Sequence, residues 1–97
     1  MINLVEDTID DRDISRLIEW LKTSPRLTKG PTTVQFEKKW ADYMGTKESV
    51  FVNSGSSANL VMLQVLIETG RIKKGSNVVV PALAWATDLS PVVQLGL

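Results

Sequence analysis

The chain has 97 residues, 43% of them apolar and 23% charged, with eleven basic side chains balancing eleven acidic ones. That composition excludes a disordered or membrane-spanning protein, and the zero net charge gives no pull toward nucleic acid or an anionic bilayer. Cysteine and histidine are absent, so a disulfide framework, a Cys/His metal site and a Ser–His or Cys–His catalytic pair are all excluded. The acidic first residues lack a continuous apolar core and do not read as a signal peptide, so the expected location is the cytoplasm.

The first predicted element is a helix. Asp10 and Asp11 can cap it, and Ile14, Leu17, Ile18 and Leu21 fall on one stripe at i, i+3, i+4 and i+7. Ser24-Pro25 ends it, because the residue before proline avoids the helical region. Residues 25–31 read as a loop punctuated by Gly30-Pro31. Thr32 with Gln35 three residues on matches a capping box. A second helix then carries Phe36, Trp40 and Met44, with Gly45 placed to end it.

Val50-Phe51-Val52 is predicted to be a short buried strand. The loop Asn53-Ser54-Gly55-Ser56-Ser57 follows, then a helix over 58–69 that is apolar almost all round and ends at Gly70. Residues 71–76 form a basic turn. Val78-Val79-Val80 is a second predicted strand, stopped by Pro81, and residues 84–95 make a last helical or irregular segment. Strand, helix and strand at this spacing predict a βαβ unit with two parallel strands. Two short parallel strands do not make a sheet, so partners beyond this pair are required.

Three stretches could carry chemistry. At Val50 to Leu60 a strand gives way to a helix through a Gly/Ser turn. The free amides of a first helical turn, with the helix dipole behind them, suit a phosphate ester. Gly55 permits close approach, and the hydroxyls of Ser56 and Ser57 add donors. A plain capped turn that binds only water is the alternative. Neither a nucleotide P-loop motif nor a dinucleotide-binding glycine motif is present. At Pro81 to Asp88, Trp85 follows the second predicted strand on the same expected edge. Its indole could stack on a flat heteroaromatic ring or simply fill a core. At Arg26 to Pro31, Lys29 could reach a phosphate or lie in a bland turn. Lys73 and Lys74 read as a solvated corner.

The order of these pieces resembles the DegT/DnrJ/EryC1/StrS family of sugar aminotransferases and dehydratases. The matching parts are the Thr28 to Pro31 loop, Phe36-Glu37, Ser54 to Ala58, Gly75 to Pro81, Trp85-Ala86-Thr87 and Gly96. Asn77 departs from the family pattern, near a usual acidic residue. The resemblance implies an α/β fold: the N-terminal part of a fold-type I transferase large domain in the order α-α-β-α-β-α, its sheet incomplete in this chain. Residues 1–45 would be an N-terminal helical segment and 46–97 the start of the cofactor-binding large domain. Together they would form one partial domain.

Function follows from the same resemblance. Gly55, Ser56 and Ser57 would hold the phosphate of pyridoxal 5'-phosphate (or pyridoxamine 5'-phosphate), and Trp85 would stack on its ring. Thr28, Lys29 and Gly30 would lie near substrate at an interface between subunits of a homodimer. The implied reaction is transamination of a nucleotide-linked keto-sugar, with an amino acid such as glutamate as donor. The Schiff-base lysine and the carboxylate facing the pyridine nitrogen would lie beyond Leu97, so the 97 residues alone are expected to be inactive. A branch of the family with histidine in place of that lysine performs dehydration with pyridoxamine phosphate, and the SGSSANL stretch and Pro91 lean toward it. A non-catalytic anion-binding or interaction module is the reading from another class.

Overall fold

The structure, a computed structural model, describes Ile2 and residues 5–97. Its helices are α1 (Asp11–Lys22), α2 (Pro31–Met44), α3 (Gly55–Glu68) and α4 (Ala86–Gln94). The chain divides into two compact units between Ser49 and Val50. Helices α1 and α2 belong to the first unit, α3 and α4 to the second.

In the first unit, helix α1 begins where its acidic residues can cap it. Asp10 Oδ1 accepts from the N–H groups of Arg12 at 2.9 Å and Asp13 at 3.0 Å. Asp13 returns the favour by accepting from Asp10 N–H at 3.4 Å, which completes a capping box. Ser24, just before Pro25, takes a left-handed turn (φ 51°) that ends the helix. Removing the cap as Asp10→Ala is expected to cost about 1 kcal/mol of helix stability. The measurement is the circular-dichroism melt of the variant; an unchanged melt would show that the box contributes nothing.

Helix α2 starts earlier than the sequence pattern suggested. The expected Thr32/Gln35 capping box does not form. Gly30 is the extended N-cap (φ −146°), no side chain caps the helix, and Pro31 is its first residue. Proline has no N–H to satisfy and a φ already set for a helix, so it outcompetes Thr32 for the start. At the other end Gly45 adopts φ 67°, and Thr46 N–H donates to Ala41 C=O at 3.0 Å, closing the helix in a Schellman-type turn. Phe36, Trp40 and Tyr43 form an aromatic ladder along α2, with centroids 6.1 and 5.7 Å apart.

In the second unit α3 and α4 pack together, burying Pro91 and Val92. Helix α3 begins at Gly55, so Gly55, Ser56 and Ser57 form its first turn, where the sequence reading had placed them in a loop. Helix α4 occupies most of the segment left open as helical or irregular.

The predicted strands do not form. No strand occurs among the described residues, and residues 50–52 and 78–80 run without a ladder. The α-α-β-α-β-α expectation is therefore corrected to four helices with two unpaired apolar segments. The reason is physical: a parallel strand is made by its neighbours' hydrogen bonds, and these segments find none. Among the described residues only Ala41 and Val92 count as buried hydrophobic core, while Val79 is 98% exposed. Among the described residues, no helix is long and apolar enough to cross a membrane.

Candidate functional site

The first turn of α3 is held by Ser54, the N-cap, in extended conformation. Its Oγ accepts from Ser57 N–H at 3.1 Å and lies 3.2 Å from Ser57 Oγ. Ala58 N–H closes the first intrahelical bond to Ser54 C=O at 3.0 Å. Of the amides that open the helix, Ser57's is thus taken by the cap. Those of Gly55 and Ser56 have no partner among the described residues, and both residues are exposed. A Cβ added to Gly55 would meet nothing within 4 Å. No protein atom requires glycine there, so the open space is available to a bound group.

The hydroxyls converge. Ser56, Ser57, Leu60, Thr87, Ser90 and Pro91 line one hollow of about 290 Å³ between α3 and α4. The N-terminus of α3 beside the hydroxyl-bearing Ser56, Ser57 and Thr87 could accept an anion such as a phosphate ester, while Ser90 Oγ is spent on Ala86 C=O. Trp85 is not part of the lining. It stands at the N-cap of α4, two residues before Thr87, and is 78% exposed. In this chain the indole is open to solvent.

A residue that the sequence reading passed over ties the two helices. Asn59 Nδ2 donates to Asp88 Oδ1 at 3.0 Å and to Thr87 C=O at 3.3 Å. Both partners are acceptors, so the amide nitrogen must be the atom facing them. These partners stand 28 and 29 residues away in sequence, and no local pattern announces them.

The other predicted residues lie in the first unit. Thr28 Oγ1 accepts from Arg26 Nε at 2.7 Å, and Thr28 and Gly30 line a hollow with Trp20, Pro25 and Pro31. Lys29 Nζ donates to Glu37 Oε1 at 2.9 Å, and the Glu37 side chain is only 13% exposed. Lys29 is therefore not the unengaged surface lysine of the bland reading. Glu37 also shares in the turn after α2, where Ser49 Oγ donates to its backbone carbonyl.

The chain belongs to the DegT/DnrJ/EryC1/StrS aminotransferase family, whose model matches residues 7–97. Members of that family are enzymes that use pyridoxal or pyridoxamine phosphate. The chain is 41% identical, over its whole length, to a GDP-4-keto-6-deoxy-D-mannose 3-dehydratase of Yersinia pseudotuberculosis, covering 25% of that protein. It is 33% identical to a dTDP-4-dehydro-2,6-dideoxy-D-glucose 3-dehydratase of Saccharopolyspora spinosa (92% of this chain, 20% of the relative). It is 27% identical to a GDP-perosamine synthase of Caulobacter vibrioides (98% of this chain, 24% of the relative). Sugar aminotransferases and polysaccharide-biosynthesis proteins are also among its relatives. The chain spans about a quarter of the length of the curated relatives it matches. No solved structure matches it significantly.

Proposed function

We propose that this chain is the cofactor-holding part of an enzyme that removes a hydroxyl from a nucleotide-linked 4-keto-deoxysugar. The observation that supports the cofactor reading is the open first turn of α3, where the amides of Gly55 and Ser56 have no partner among the described residues and Ser56, Ser57 and Thr87 bring hydroxyls nearby. Dehydration is favoured over transamination because two sugar 3-dehydratases match at 41% and 33% identity, against 27% for the perosamine synthase. Transamination of a keto-sugar with an amino-acid donor is the second reading, supported by the aminotransferases among the relatives.

The bound cofactor supplies an electron sink. The chain's own residues hold it. Gly55 and Ser56 amides and the Ser56 and Ser57 hydroxyls donate to the phosphate, and the helix dipole favours its charge. Trp85 stacks on the ring and shields one face from water. Thr28, Lys29 and Gly30 lie near the sugar nucleotide at the interface of a homodimer in the cytoplasm. The step that breaks the carbon–oxygen bond needs a proton-transferring residue that we assign to none of these 97 residues, so the chain alone is inactive.

The test is a titration of the 97-residue chain with pyridoxal phosphate, followed by tryptophan fluorescence. Saturable quenching is expected, with inorganic phosphate as a competitor. Trp85→Ala should abolish most of the quenching and leave the signals of Trp20 and Trp40. A chain that shows no saturable binding, or that quenches equally with alanine at position 85, would overturn the assignment.

A further inference from the structure

Helix α4 contains a proline where a donor belongs. Pro91 lies inside the helix, four residues after Thr87. The carbonyl of Thr87 would ordinarily accept from the N–H of residue 91, and proline has none. That acceptor lies in the first turn of α4, beside the hollow that Ser56 and Ser57 share with Thr87. The carbonyl belongs to an exposed residue, so a donor there adds a net bond of about 1 kcal/mol.

The missing donor comes from the neighbouring helix. Asn59 Nδ2 reaches the Thr87 carbonyl at 3.3 Å and the Asp88 carboxylate at 3.0 Å with the same amide group. Asn59 and Asp88 are both partly buried, and Pro91 itself is buried in the contact. The proline ring thus packs the two helices together and opens the carbonyl, and the asparagine fills the place the ring vacated.

We infer that Asn59 is a positioning residue: it replaces the N–H that Pro91 lacks and so fixes the first turn of α4, with Trp85 and Thr87, against the start of α3. It touches no cofactor. Its effect on binding, which rests on the cofactor reading above, runs through the placement of Trp85 relative to the Gly55-Ser56 amides.

The test is a double-mutant cycle on the 97-residue chain, read by amide hydrogen exchange. Asn59→Ala is expected to speed exchange of the α4 amides Val92, Val93 and Gln94 about fivefold, through the loss of its bonds to Thr87 and Asp88. In a Pro91→Ala background, residue 91 regains its N–H and the change removes only the Asp88 bond, so exchange should speed up clearly less, by about twofold. Equal acceleration in both backgrounds would overturn the inference. Asn59→Asp keeps the size but sets a carboxylate against two acceptors, so about tenfold acceleration is expected at neutral pH; wild-type exchange in that variant would also overturn it. So would α4 amides that exchange in the wild-type chain as freely as in an unstructured peptide, since the clamp would then not exist.

In the pyridoxal phosphate titration, Asn59→Ala should weaken binding about fivefold, and much less in the Pro91→Ala background. Failure of the wild-type chain to bind the cofactor would sink the functional reading and leave the exchange result to decide the clamp. Unchanged affinity in Asn59→Ala, with accelerated exchange, would confine Asn59 to holding the helices.

Discussion

Replacing Ser56 by aspartate is expected to weaken pyridoxal phosphate binding about thirtyfold. Ser56 is exposed at the second position of α3, and its amide has no protein partner. A carboxylate there faces a phosphate dianion at contact distance. Each unit pair of like charges about 4 Å apart costs about 1 kcal/mol in water, so about 2 kcal/mol is lost against the dianion. The Ser56 hydroxyl is lost as well. Ser56→Ala removes only that hydroxyl, and about a fivefold loss is expected. The two variants separate electrostatics from donation. Folding gives an independent control: an acidic side chain in the first turn of a helix is favourable, so Ser56→Asp should melt no earlier than wild type. The repulsion should also shrink as salt is raised. Equal affinities for wild type and Ser56→Asp, with both chains folded, would remove the phosphate from this turn.

The choice between dehydration and transamination can be put to a domain exchange. Residues 1–97 would replace the matching quarter of the Yersinia dehydratase and, separately, of the Caulobacter perosamine synthase. The dehydratase chimera is expected to keep at least about a tenth of its parent's kcat, and the synthase chimera less than about a hundredth. A misplacement of about 1 Å at an active site is enough for a hundredfold loss. At 41% identity more of the packing that seats the α3 start and Trp85 is kept than at 27%. The reverse order of activities would favour transamination. Loss of activity in both, with cofactor retained, would show that these residues carry substrate specificity of their own.

How much of this was legible beforehand depends on the range of the interaction concerned. The cap at Asp10, the left-handed Gly45 and the Gly/Ser helix start are local. Each is decided within a few residues by φ limits and by side-chain oxygens near free amides. The same local logic failed at Thr32, where two start signals competed and Pro31, being preorganised, won. Trp85 could not be assigned from sequence, because an indole serves a core and a ligand equally well; its 78% exposure is a property of the fold.

Sequence by itself settled the composition class, the absence of cysteine and histidine chemistry, the cap of α1 and the family to which the motifs belong. Those rest on residue types and on spacings shorter than two helical turns. Tertiary structure alone decided that the Val50 and Val78 segments stay unpaired, since strands exist only through their neighbours. It alone brought Asn59 to the carbonyl that Pro91 leaves open. A side-chain donor 28 residues from its acceptor meets it only when two helices pack, and no periodicity within either helix encodes that meeting.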